Sequence, residues 1–237
     1  MKEAVLVTKT EVIALLRKNK NERGIANWKK LGHKGLESFG IGLTQLRKLA
    51  KKVGRDHDLA LELWNSDVYD ARVIGTLIDE PKKMTREQAE AQVDELGFGM
   101  LAHIYCTCGA TLPRAPFVRE LAIDWMDSKD DMRRRCGYLL LYELSKDNRD
   151  KALDDRFFTG YIHRIAETIK DEENWVRDAM NGSLLGIGKR NRKLNRSALK
   201  AARAIGPVEI DYGDNSCESI DIVKHLTSDR LQKKLQV

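Results

Sequence analysis

Apolar residues recur at three- and four-residue spacing along nearly the whole chain, and strand-like alternation is scarce. Val12, Leu15 and Leu16 head one stripe behind Thr8 or Thr10. Leu43, Leu46, Leu49, Ala50 and Val53 form a second, which Gly54 stops. Leu59, Leu61, Leu63 and Trp64 follow, and then Val68, Ala71, Val73, Ile74, Leu77 and Ile78, ended by Pro81. Thr85 with Gln88 reads as a capping box. Further helices are expected near 86–96, 99–109, 117–127, 130–145, 155–170, 173–187, 195–205 and 219–235. Only four prolines interrupt 237 residues, and the one long irregular stretch is 206–219.

Some of these helices form pairs that resemble each other: 59–64 with 68–78, 117–125 with 130–144, and 158–169 with 174–187. In the second helix of each pair an Arg precedes a small residue: Arg72 before Gly75, Arg134 before Gly137, and Arg177 before Asn181 and Gly182. The last two pairs repeat at about 43 residues, within the range of HEAT-type helical repeats. Stacked antiparallel pairs bury a continuous core and leave a concave face open. The expected fold is therefore all-α, an α-solenoid of stacked antiparallel HEAT-like helix pairs. It is read as a single domain over 1–237, with N-terminal helices in 1–35, repeats in 36–205, and a loop and C-terminal helix in 206–237.

At 42% hydrophobic the chain can bury a sizeable core, which excludes disorder overall. Its four cysteines, at 106, 108, 136 and 217, are too few and too irregular for a secreted disulfide framework. The opening Met1-Lys2-Glu3-Ala4 lacks a long apolar signal core, and no stretch of about eighteen apolar residues occurs. The expectation is a soluble protein of the cytoplasm, associated with the nucleoid.

Lys and Arg total 42 against 36 Asp and Glu, a net charge of +6. Between Ala179 and Val208 there is no acid at all, yet the stretch holds Lys189, Arg190, Arg192, Lys193, Arg196, Lys200 and Arg203. That block alone exceeds the net charge, so the remainder is close to neutral. As a helix, 195–205 puts Arg196, Lys200 and Arg203 on one face and turns Leu199, Ala202 and Ile205 inward. Smaller basic sets lie at Arg47, Lys48, Lys51, Lys52 and Arg55, and at Arg133, Arg134 and Arg135. A solvated face is the ordinary reading of a charge run. Clustering without acids also suits phosphate neutralisation, with helix N-termini as added donors.

Other chemistries fit poorly. Cys106 and Cys108 lack partners at ligand spacing, so no metal is expected, and core packing in an apolar helix is their ordinary reading. Gly40-Ile41-Gly42 and Gly186-Ile187-Gly188-Lys189 are too short for a nucleotide fingerprint and follow no strand, so no cofactor is expected. His57, between Asp56 and Asp58, reads as a helix-start residue rather than a base. His103, among Met100, Leu101, Ala102 and Ile104, reads as a core or groove histidine. The loop Asp211-Tyr212-Gly213-Asp214-Asn215-Ser216-Cys217 is rich in turn formers and has no assigned purpose.

Phe39-Gly40-Ile41-Gly42 with Leu46-Arg47, then Arg134-Arg135-Cys136-Gly137-Tyr138, Asn174-Trp175-Val176-Arg177-Asp178-Ala179 and Gly188-Lys189-Arg190-Asn191, resemble DNA alkylation repair proteins of the AlkD type. The likeness spans residues 36–226 or so and rests on the order and spacing of these segments. It implies a solenoid of HEAT-like repeats whose basic concave face holds duplex DNA. In active members it implies excision of positively charged alkylated purines by hydrolysis of the N-glycosidic bond, without flipping the base into a pocket. Arg47 and Arg135 match arginines that such proteins use near the DNA backbone. Arg134, Lys189, Arg190, Arg192, Lys193 and Arg196 complete the expected DNA-binding set.

The catalytic positions depart from that pattern. The family's aspartate falls at His103, one aromatic wall at Gly99 and another at Gly182. No carboxylate lies between Glu95 and Glu120, so a slip in register changes nothing. A carboxylate stabilises the oxocarbenium-like sugar left by a departing base, and an aromatic wall attracts the cationic base. Asp178, with Asn181 three residues along the same face, offers a relocated group, unless Asp178 pairs with Arg134 or Arg177. The function expected is DNA binding, to duplex or damaged DNA, by a monomer without membrane contact and with the usual glycosylase aspartate missing. Two alternatives stay open: an active N-glycosylase using Asp178 or His103, and a protein-binding helical scaffold.

Overall fold

The computed structural model describes residues 7–30, 35–97, 99–214 and 217–235, so the opening Met1–Ala4 and the loop residues Asn215 and Ser216 lie outside the described residues. Fourteen α-helices, two 3-10 turns and one isolated bridge between Glu37 and Val68 form the described part, which holds no strand. The helices gather into two compact units, 1–116 and 117–237.

The first unit holds α1 (Lys9–Lys18), α2 (Glu22–Lys30), α3 (Leu43–Val53), α4 (His57–Trp64), α5 (Tyr69–Ile78), α6 (Arg86–Asp94) and α7 (Gly99–Cys106). Thr8 and Glu11 make a reciprocal capping box at α1, and Gly54, at φ 90°, ends α3. The centre of the unit is α5, which packs on α4 and also meets α1, α3 and α7. Ala71, Val73 and Ile74 on α5 are fully buried. A Cβ on Gly75 would lie 2.9 Å from the Ala60 carbonyl, so this glycine sets how closely α5 approaches α4.

Asp70, buried in the first turn of α5, ties down the Phe39–Gly42 segment. It accepts from the Ser38 hydroxyl at 2.9 Å and from the amides of Phe39 at 2.8 Å and Ile41 at 3.1 Å. Burial pushes its carboxyl above the usual range, and those donors pull it partly back. Gly40 sits at φ 69° with its backbone against Asn21 and Ile25, a place no side chain would fit.

Two local expectations change here. Thr85 caps the Gln88 amide at 3.1 Å, but the Gln88 side chain turns to Asp79 at 2.8 Å, so only half of a capping box forms. The helix expected over 99–109 stops at Cys106. The Thr107 hydroxyl bonds back to the His103 carbonyl at 2.5 Å, and Cys108 and Gly109 enter the left-handed region at φ 58° and 86°. Cys106 is core, as expected; Cys108 lies in the turn beyond the helix.

The second unit holds α8 (Val118–Met126), α9 (Asp131–Leu144), α10 (Asp155–Thr168), α11 (Asn174–Gly188), α12 (Arg192–Ile205), α13 (Ile222–Leu226) and α14 (Asp229–Lys234). Asp130, Asp154, Asn191 and Asp221 supply side-chain N-caps. Short turns fold α8 back on α9 and α10 back on α11, the antiparallel pairs the repeat implies. Across the unit α9, α11 and α13 pack in sequence as one layer, while α10 lies beside α12 in the other. Gly137 is the counterpart of Gly75: its Cβ would lie 2.6 Å from the Met126 amide and 2.9 Å from the Ala122 carbonyl. Gly182 is not the third member, because a Cβ there meets nothing within 4 Å.

The single C-terminal helix expected over 219–235 is two short ones. The Thr227 hydroxyl bonds the Val223 carbonyl at 2.8 Å and the Ser228 hydroxyl bonds the His225 carbonyl at 2.9 Å. These side-chain bonds end α13, and α14 starts afresh after an extended Ser228. No helix among the described residues is long and apolar enough to cross a membrane.

Candidate nucleic-acid interface

The basic residues of the second unit divide into those the fold consumes and those it leaves outside. Arg190 is consumed. Its guanidinium donates to the carbonyls of Ser145 at 3.0 Å, Asp147 at 2.6 Å and Leu153 at 2.8 Å, and lies 4.7 Å from the centre of the Phe158 ring. Arg134 is consumed as well. It pairs with Glu172 at 3.0 Å and Asp131 at 2.6 Å and closes the carbonyls of Ser128 and Lys129. Arg135 is buried, its guanidinium 4.9 Å from the centre of the Trp175 ring.

The longest exposed basic run of the unit lies on α12. Arg192, Lys193, Arg196, Lys200 and Arg203 are all exposed, while Leu194, Asn195, Ala198, Ala201, Ala202 and Ile205 are buried. At 100° per residue those five cations fall within about one quadrant of the helix, a single stripe. The acid-free block is not wholly acid-free in space. Asp155 reaches across from α10 to the Asn191 amide at 2.7 Å and to Lys193 at 3.5 Å. Arg192, Arg196, Lys200 and Arg203 form no ion pair among the described residues. Lys189, exposed at the end of α11, is pushed down by partial burial and by the charges of Lys146 and Lys234. The arginines of α9 and the stripe on α12 thus belong to different layers of the unit.

In the first unit, Arg47 is exposed and donates to the Cys108 carbonyl through Nε at 2.9 Å and Nη2 at 2.5 Å. Lys51, Arg55 and Arg114 join it around a cavity of about 430 Å3 with no carboxylate in its wall. Arg114 escapes a reading of charge runs, because it stands alone in sequence and the 108–111 turn brings it to α3. Burial and the Arg114 charge together push the Arg55 guanidinium down.

The loop without an assigned purpose is a strap over the start of α11. The Asn174 side chain exchanges two hydrogen bonds with the Asp211 backbone, at 2.7 and 2.8 Å. The Tyr212 ring meets Trp175 edge-on with centroids 5.8 Å apart, and its hydroxyl donates to Asp178 at 2.8 Å. Asp178 therefore pairs with Tyr212, while Arg134 is taken up by Asp131 and Glu172. Asn181 is buried and donates to the Ile220 carbonyl at 2.9 Å, so Asp178 and Asn181 are each tied to a different part of the same connection. Trp175, with Arg135 over its ring and Tyr212 against it edge-on, forms a cluster that residue spacing does not disclose.

The sequence model described as "DNA alkylation repair enzyme" matches residues 12–208, four fifths of the chain. The chain belongs to the DNA alkylation repair enzyme family. Two uncharacterised relatives share 26% identity with it. A Listeria innocua protein matches over 82% of this chain and 84% of its own length, and a Listeria monocytogenes protein over 84% and 86%. A solved structure, described as a new family of proteins related to the HEAT-like repeat DNA glycosylases with affinity for branched DNA structures, covers 96% of both chains. It does so with a TM-score of 0.82 at 21% identity, which establishes the fold as HEAT-like. At the positions where the family resemblance expects catalytic groups, this member of the alkylation repair family has an exposed His103 on α7 and a Gly182 open to space. Among the described residues no group of three or more His, Cys, Asp or Glu is placed to hold a metal ion.

Proposed function

We propose that the protein binds DNA through its phosphates, favouring branched over linear duplex, without base excision by the family's usual aspartate. The α12 stripe carries this reading, with five exposed cations and no acid on the helix itself. Each phosphate neutralised releases counterions, so a stripe of this kind supports tight binding at low salt and steep loss as salt rises. The affinity for branched DNA of the structurally similar protein supports the choice of substrate. Arg47 and Lys51, exposed on α3, supply a second basic surface.

Binding of labelled four-way junction and of linear duplex of equal length, compared by fluorescence anisotropy, tests this. The stripe variant Arg192→Glu, Arg196→Glu, Lys200→Glu, Arg203→Glu should lose binding while keeping its circular dichroism. Arg190 is left untouched, because replacing it would free three backbone carbonyls. Undiminished affinity in the variant, or equal affinity for junction and duplex, would count against the proposal.

A second reading, base excision at Asp178, draws on that carboxylate lying beside Trp175 and Tyr212. It requires release of free base from alkylated duplex that Asp178→Asn abolishes.

A further inference from the structure

The cavity of the first unit combines four cations with a thiol. Arg47, Lys51, Arg55, Arg114 and Cys108 face it above an apolar floor of Ala50 and Leu77. The three guanidiniums are fixed in place by backbone carbonyls. Arg47 holds that of Cys108, Arg55 that of Asp79, and Arg114 those of Gly109 at 2.5 Å and Ala110 at 3.1 Å. Pinned by neutral oxygens, they keep their full charge toward the cavity.

Cys108 differs from the other cysteines. Cys106 and Cys136 are buried and Cys217 is exposed, whereas Cys108 is half-buried in the cavity wall. It occupies a left-handed turn, φ 58°, that a β-carbon ordinarily avoids. The Thr107 hydroxyl oxygen lies 3.3 Å from its sulfur, while the Thr107 proton goes to the His103 carbonyl at 2.5 Å. Burial alone would raise the thiol, yet its neighbours His103, Thr107 and Arg47 outweigh it and hold the thiol below the ordinary cysteine range. This is a thiol with a cationic surround in the first unit, whereas the stripe that carries the DNA-binding reading lies on α12 of the second.

We propose that Cys108 undergoes thiol–disulfide exchange with an anionic low-molecular-weight disulfide, whose carboxylates the Arg47–Lys51–Arg55–Arg114 cavity binds. The Cys108 proton passes to water, and the thiolate sulfur attacks one sulfur of the disulfide. A Cys108–S–S–R bond forms as the original S–S bond breaks, and the departing RS⁻ takes up a proton. The incoming disulfide is the only oxidant the step needs.

The test treats the reduced full-length protein with oxidised glutathione, an anionic disulfide, and separately with cystamine, a cationic one. Peptide mass mapping then follows each cysteine over time, so no variant has to fold. Cys108 should take glutathione ahead of the exposed Cys217, and about tenfold faster than it takes cystamine at low salt. Arg114→Gln should slow the glutathione reaction without slowing the cystamine reaction, which separates the cavity from the intrinsic reactivity of the thiol. Modification of Cys217 first by both reagents, or equal rates for both at Cys108, would overturn the proposal.

Discussion

The Tyr212 hydroxyl donates to Oδ1 of Asp178 at 2.8 Å across thirty-four residues of chain. That bond commits the carboxylate of α11 to the strap that follows α12, and burial together with the Asp178 charge raises the Tyr212 phenol well above its usual range. Removing it should cost little in the body of the unit and much in the strap. Tyr212→Phe keeps the ring against Trp175 but loses a hydrogen bond to a charged group, about 1 kcal/mol at this partly exposed position. Urea unfolding should show that small loss, and amide exchange over 209–214 should quicken. Unchanged exchange there would mean that the Asn174–Asp211 pair alone holds the strap.

Alkaline pH should unfold the protein through its tyrosines. Tyr69, Tyr138, Tyr161 and Tyr212 are all raised, chiefly by burial, and Tyr138 is pushed up to about 12. The folded state keeps these protons where the unfolded chain releases them, near pH 10 or so. Their stabilising contribution is therefore complete below about pH 10 and is lost as pH climbs through the folded values. Melting temperature should fall from pH 10 upward, with phenolate absorbance rising at the unfolding transition. A normal phenolate titration without unfolding would contradict this.

The glycines of the helix pairs make opposite predictions. Gly137→Ala places a Cβ within 2.6 Å of the Met126 amide, where backbone must move, and should cost about 3 kcal/mol or more. Gly182→Ala meets open space within its helix and should be neutral or stabilise by up to ~1 kcal/mol. Chemical denaturation of the two single variants checks both signs. If both substitutions were tolerated, the close α8–α9 approach would be in question.

The helices were legible because an apolar stripe at helical spacing has one sensible burial, and caps such as Thr8 and Gly54 act locally. Repeat register was legible at Gly75 and Gly137 for the same reason, and failed at Gly182. In α11 the close approaches fall instead at Ser183, whose hydroxyl bonds the Tyr138 carbonyl, and at Gly186, beside Tyr142 and Ser145. The charged residues divide less visibly. Nothing local separates Arg190, held by carbonyls 37 to 45 residues away, from Arg192, which stays in solvent. Asp155 likewise enters the basic block only through the packing of α10 on α12. The thiol cavity was hidden because the end of α7 depends on one hydroxyl, that of Thr107, and on the turn at Cys108.

If α12 holds DNA through its phosphates, the salt dependence of binding shows it most directly. Affinity for a four-way junction would be measured by anisotropy over a salt series, for the native protein and for the variant with Arg192, Arg196, Lys200 and Arg203 changed to Glu. On B-form arms each phosphate contact contributes about 0.9 to the slope of log affinity against log salt, so losing four contacts should flatten it by roughly 3 to 4. A slope that is the same in both proteins would place the DNA on some other surface.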